Sequence, residues 1–223
     1  MMRKINARGV TLVELMITIV VMGVLMSGIF VFVISNLNGY TSTSIRENLL
    51  SQAQTGLNKV NDTILLAGAA DATNRIADQN GPGGPSNLFG WTGGTQTLIL
   101  ATAAENTAGN ILFSDPANYV SYKNNVIYYL DGTTLRQRIL AASVSGNKAK
   151  TTCPDNKVTS SCKADAIILE NVRSFTVTYL DKSNNSVTPG NARGIELSVT
   201  MSDKRFSNKT KISYKTRSVF RND

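Results

Sequence analysis

The 223-residue chain contains no histidine. That absence removes the Ser-His and Cys-His pairs on which most nucleophilic hydrolases depend. It also removes the commonest zinc ligand, and the two cysteines, Cys153 and Cys162, are too few for a four-ligand structural zinc site. No Asp/Glu cluster stands out as an acid–base pair, and no EF-hand spacing occurs. The glycine-rich stretch 81–94 lacks the Lys-Ser/Thr that completes a phosphate-binding loop. Neither an enzyme nor a metal or cofactor is therefore expected. Proline is missing from the first 81 residues, so nothing there obliges a helix to break. Acidic residues are outnumbered, 15 against 23 basic ones, giving a formal charge of +8.

Against these absences stands one long apolar run. Residues 10–34 carry a single charge, Glu14. A bilayer span needs roughly 20 apolar residues as a helix, so the run is long enough to cross. A carboxylate costs roughly 2.5–3.5 kcal/mol at the bilayer centre and less toward its edge, so Glu14 calls for a function and a partner. Arg3, Lys4 and Arg8 precede the run, which keeps its N-terminus cytoplasmic and sends the remainder across. A cleaved secretory signal has an apolar core of about 7–15 residues followed by a small-residue cleavage site. This core is longer, and the small residue, Gly9, comes before it.

The sequence Gly9-Val10-Thr11-Leu12-Val13-Glu14-Leu15 resembles the processing motif of type IV prepilins and type II secretion pseudopilins. The likeness is close over about the first 35 residues and only architectural beyond. It departs at Val10, where the family usually has phenylalanine. The resemblance implies that a prepilin peptidase cuts after Gly9 on the cytoplasmic side and methylates the new N-terminus at Val10. It also implies that Glu14 of an incoming subunit pairs with the N-terminus of one already in the filament. A lone buried carboxylate is costly, whereas one paired with a cation is tolerated. Such a pair sets axial register, since a subunit docked elsewhere leaves a charge unpaired in lipid. Gly23 and Ser27 lie four apart on one helix face, with Gly28 beside them, a small-xxx-small pattern that permits close helix packing.

Beyond the span the helical pattern continues. Leu50, Ala53, Leu57, Val60, Ile64 and Ala67 form a stripe at spacings of three and four, opposite Ser51, Gln52, Asn58, Lys59 and Asp62. Gly39 and Gly56 are candidate bends, and the helix is expected to end near Gly68. Residues 71–94 turn to loop chemistry around Gly81-Pro82-Gly83-Gly84-Pro85, with Trp91 and Phe89 either tucked under the domain or presented to a partner. Strands are expected at 97–102, at 126–130 and 133–140 joined through Asp131-Gly132, and at 174–179 and 195–202. Asn184-Asn185 falls in the connection between the last two. Their strict alternation means one buried and one wet face, as in an antiparallel sheet covered on one side. The fold class is therefore α+β: a long N-terminal helix packed on an antiparallel sheet, which the pilin resemblance also implies.

The two cysteines close a short loop. In a translocated domain, an oxidising setting, they favour a Cys153–Cys162 disulfide over free thiols or half a metal site. The final strand places Lys209, Lys211, Lys215 and Arg217 on one side and Ile212, Tyr214 and Phe220 on the other. Four cations on one face are a candidate track for a nucleic-acid backbone. A solvated face whose lysines deter edge pairing is the reading the sequence favours. Segments 170–181 and 216–222 resemble minor subunits of the J and W kind.

The expected organisation is a cleaved cytoplasmic leader at 1–9, a transmembrane and assembly helix at 10–34, its continuation at 35–70 and an extracytoplasmic pilin-like domain at 71–223. Removing the leader's three basic residues takes the formal +8 to +5. The resemblance implies a minor pilin or pseudopilin whose partners are the prepilin peptidase, other pilin or pseudopilin subunits, and inner or cytoplasmic membrane lipid before assembly. It would then initiate, cap or modulate a surface pilus or a periplasmic pseudopilus. The competing readings are a DNA-binding subunit using the basic strand and a signal-anchored extracytoplasmic domain that never polymerises.

Overall fold

The computed structural model describes residues 11–67, 75–82, 90–205 and 208–220, without the side chains of 204, 205, 208 and 209. Among the described residues one α-helix, α1 (Leu12–Leu66), is followed by thirteen strands. In chain order these are β1 (Arg75–Ile76), β2 (Trp91–Thr92), β3 (Thr97–Ala103), β4 (Phe113–Asp115), β5 (Val120–Ser121), β6 (Lys123–Asp131) and β7 (Thr134–Leu140). Then come β8 (Thr152–Cys153), β9 (Lys163–Ala164), β10 (Ala166–Leu169), β11 (Val172–Leu180), β12 (Gly194–Arg205) and β13 (Asn208–Val219).

At 1.5 Å per residue, the 55 residues of α1 give a rod roughly 80 Å long. Its two halves have opposite surroundings. Every residue from Thr11 to Tyr40 is exposed, including the apolar ones, and this half is long and apolar enough to cross a membrane. From Ile45 onward the inner face is buried at Ile45, Leu49, Ala53, Leu57, Val60 and Ile64. Leu49, not Leu50, carries that stripe, and Leu50 is only partly covered. The exact four-residue step from Ile45 to Leu57 sits slightly out of phase with the expected start, which shifts the face by one residue at its N-terminal end. The helix stops at Leu66 because Ala67 turns extended and bridges Thr102, giving its backbone a strand partner in place of another helical turn. Gly68 lies outside the described residues.

Neither candidate bend interrupts α1, which runs through Gly39 and Gly56. Gly56 has a different role. A Cβ there would lie 2.4 Å from Leu169 Cδ2 and 3.0 Å from the Ile168 carbonyl oxygen. The missing side chain lets the edge strand β10 approach the helix backbone. Gly56→Ala is therefore expected to destabilise the domain by about 1–2 kcal/mol, as overpacking does, even though alanine is intrinsically the better helix former by about 1 kcal/mol. A denaturant midpoint equal to or above wild type would contradict this close-approach role.

The expected single sheet is two. One has the order β10-β7-β6-β3 and the other β11-β12-β13, and all pairings in both are antiparallel. The Val177 amide donates to the Thr95 carbonyl at 2.8 Å and so joins β11 to the entry of β3. The main core lies between α1 and both sheets, with Tyr128, Phe175, Ile195, Leu197, Val199 and Met201 among its fully buried members. The alternation read from 174–179 and 195–202 holds as far as 201, with Phe175, Val177, Tyr179, Ile195, Leu197, Val199 and Met201 inward. Ser202, expected on the wet face, is buried and accepts from Arg173 at 2.7 Å. The β6–β7 hairpin exists, but its turn is Gly132-Thr133, one residue later than expected. Asp131 pairs with Thr134, and Gly132 at φ +60° takes the first loop position, which suits glycine in a two-residue turn.

Two described parts of the expected loop 71–94, β1 and β2, pair with each other. Trp91 is buried against Ile99 and Ile127, with Tyr129 packed beside it, and its ring lies 4.6 Å from that of Tyr129. It is thus a small second core and not a displayed aromatic. Phe89 lies outside the described residues.

Candidate functional site

The helix N-terminus is built by Thr11. Its backbone is extended, and its hydroxyl accepts from the Glu14 amide at 3.3 Å. Glu14 completes the capping box by turning back: its carboxylate accepts from the Thr11 amide at 2.9 Å and from the Thr11 hydroxyl at 3.0 Å. The negative charge sits at the positive end of the helix dipole, where it is favoured. The side chain is thus held beside the start of its own chain, one turn from where a cut after Gly9 would leave an amine. Gly9 and Val10 themselves lie outside the described residues.

Three other polar side chains of this half bond to carbonyls of their own helix, as suits a lipid setting. Thr18 donates to the Glu14 carbonyl, Ser27 to that of Val24 at 2.8 Å and Asn36 to that of Phe32 at 2.8 Å. At Gly23 and Gly28 an added Cβ would meet open space. The small-residue face is therefore uncovered within one chain.

The structure brings Lys211, Lys215 and Arg217 together on the exposed side of β13, with Ile212 inward. The side chain of Lys209 lies outside the described residues. Two of the cations are engaged: Lys215 pairs with Glu196 at 3.1 Å, and Arg217 donates to the side-chain oxygen Oδ1 of Asn184. The face is mixed with serine and threonine from β12, and its field is weaker than four bare cations would make it.

Cys153 and Cys162 are joined, with Cα atoms 5.7 Å apart. Their loop leads to a cluster that sequence reasoning missed. Arg138, on β7, is wholly buried. Its guanidinium donates to Asp78 at 2.5 and 3.0 Å and to Asp165 at 3.3 Å. The indole N–H of Trp91 donates to Asp78 at 2.7 Å, and the hydroxyls of Tyr129 and Thr152 donate to Asp165 at 2.8 and 2.5 Å. Burial by itself would raise the Asp78 carboxyl. Hydrogen bonds from Arg138, Trp91 and Asn80, with the charge of Arg138, together hold it below the ordinary carboxylate range. Burial, followed by the bond to Asp165, pushes the Tyr129 hydroxyl up. The only sequence signal was a charged residue, Arg138, standing between Gln137 and Ile139 in a strand that is otherwise half apolar. Nothing in that pattern reveals its two partners, 60 and 27 residues away.

Among the described residues no group of three or more metal-ligating side chains occurs. A search of curated proteins finds no match to the chain. The motif and the apolar helix together fit a single-pass membrane-anchored protein. Residues 4–30 match the prokaryotic N-terminal methylation motif, so the chain carries the N-terminal signal of type IV pilins and pseudopilins above an α+β domain of pilin-like layout.

Proposed function

We propose that this protein is a minor subunit of a type IV pilus or type II secretion pseudopilus, one that initiates, caps or modulates the filament. The observation that carries the reading is the N-terminal methylation motif at 4–30, continued by a helix whose first half is wholly exposed and bears Glu14 at its start. A free helix of that kind is incomplete. It needs lipid before assembly and neighbouring helices afterwards. The prepilin peptidase would cut after Gly9 and methylate Val10. The domain would then stand outside the inner or cytoplasmic membrane, on a surface pilus or in a periplasmic pseudopilus.

Support for a minor role is the absence of proline in the first 81 residues and the likeness of 170–181 to J- and W-type subunits. That segment contains the whole of β11, the edge strand of the second sheet, which meets the entry of β3 through Val177. The test is intact-mass and N-terminal peptide analysis of protein from its own membranes, with and without the cell's prepilin peptidase. The expected product starts at methylated Val10 and disappears without the peptidase. A chain that keeps residues 1–9 in both cases would make it a plain signal anchor.

The exposed set Lys211, Lys215 and Arg217 weighs for a nucleic-acid reading, and the ion pair of Lys215 with Glu196 weighs against it. We expect duplex binding by the full chain to be lost at about 200 mM salt, as for nonspecific phosphate contacts. Binding that survives this salt and falls on joint Lys211→Glu and Lys215→Glu substitution would replace that expectation.

A further inference from the structure

The chain's single tryptophan lies beside the buried charges of Arg138 and Asp165 and the half-buried Asp78. Arg138 grips Asp78 on one side and Asp165 on the other. Asp78 belongs to the segment that leads from β1 to Pro82, and Asp165 follows β9, which returns the chain from the disulfide loop. Beside this cluster opens a cleft of about 610 Å³, within the roughly 300–1,000 Å³ of small-ligand sites. One wall is Asn80 to Pro82 and the other is the disulfide loop from Pro154 to Lys157, with Trp91 and Tyr129 between them.

The polar ends of both aromatics are turned to the buried carboxylates, Trp91 to Asp78 and Tyr129 to Asp165. Tyr129, half-buried, gives the cleft ring surface, and Trp91, buried in the small second core, backs it from beneath. A buried charge trio is a poor stabiliser compared with apolar side chains of similar volume. Here it ties both walls to the same arginine, and the disulfide closes the second wall on itself. That is the construction of a preorganised binding site.

The rim decides the ligand's charge. Asp131 and Asp155 are bridged by Arg136, and Lys157 stands beside them, so two charges of each sign cancel. No net field selects an ion. The remaining polar side chains of the lining are neutral: the amides of Asn80, Gln96 and Asn156 and the hydroxyl of Thr97, with Asn80 also donating to Cys153 Sγ at 3.7 Å. Amides that both donate and accept, set around aromatic ring surface, match a neutral molecule with many hydroxyls and apolar C–H faces. We propose that this cleft binds a short neutral oligosaccharide.

The sole tryptophan reports on it. The full chain is placed in lipid nanodiscs, because glycoside detergents would compete, and Trp91 emission is followed during titration with cellobiose, chitobiose and maltotriose. At least one sugar is expected to give a saturable change with half-saturation near 1–10 mM, typical of a weak site. Gln96→Ala and Asn156→Ala, both at exposed positions, should each weaken it about tenfold or more, the worth of one or two hydrogen bonds. No saturable response to any of the three sugars at about 50 mM, a bound beyond weak specific binding, would overturn the proposal. So would a response that survives both substitutions. A response to trialanine and to none of the sugars would assign the cleft to peptide and overturn it equally.

Discussion

Glu14→Ala and Glu14→Gln are expected to insert into the membrane as well as wild type and to be nearly absent from filaments. Insertion should not suffer, because each substitution removes a carboxylate that costs up to roughly 2.5–3.5 kcal/mol within the bilayer. In the free subunit Glu14 already has partners, the amide and hydroxyl of Thr11. Losing them costs about 1 kcal/mol of helix-end stability, too little to unfold a 55-residue helix. The large effect belongs to assembly. If the carboxylate pairs with a neighbour's N-terminal amine, removing it leaves a cation unpaired in a low-dielectric helix bundle, a loss of about 3–5 kcal/mol. That corresponds to a fall of more than a hundredfold in docking equilibrium. Membrane-fraction and sheared-filament immunoblots separate the two steps. Normal incorporation of either variant would remove Glu14 from the assembly mechanism.

The helix and the paired strands were legible in the sequence because each follows a local period. The run 10–34 is apolar throughout, and the strand faces at 175–179 and 195–201 alternate without a break. Errors came where a local pattern meets a non-local partner. Leu49 and Leu50 are chemically identical, and only the direction of the sheets under α1 decides which is buried. Asp131-Gly132 is a good turn pair, yet the register of β6 against β7 makes Gly132-Thr133 the turn. Gly56 reads as a weak helix position until Leu169 is placed against it. The split into two sheets was hidden for the same reason: nothing in β11 itself says that its neighbour is β12 and not β7. Of the candidate site, the Thr11–Glu14 capping box was within reach, being a Thr-x-x-Glu at a helix start. Thr11 is the glutamate's near partner, set by local spacing alone, whereas the proposed distant one lies on another subunit.

Arg138→Met is expected to destabilise the domain by about 3–5 kcal/mol at pH 7, the cost of breaking a buried ion pair from one side. For a domain of this size that lowers the unfolding midpoint by about 6–20 °C. Methionine fills much the same volume, so the loss is electrostatic: Asp78 and Asp165 remain buried without their cation. The pH dependence identifies the cause. In the wild type the Asp78 pKa is depressed, so its contribution is fully present above the unfolded value of about 3.9 and is lost as pH falls through the lower folded value. In the variant, burial pushes Asp78 upward and only Trp91 and Asn80 oppose it. A raised carboxyl costs stability at high pH, and the cost is relieved as acid protonates it in the folded state. The gap between the two proteins should therefore narrow from pH 7 toward pH 5, where wild type has yet to lose anything. Adding Asp78→Asn and Asp165→Asn to Arg138→Met should recover most of the loss, since a trio without charge leaves no ion stranded. A deficit unchanged with pH and untouched by the two asparagines would mean that Arg138 acts by packing alone. The buried trio would then not be what holds the walls of the cleft in place.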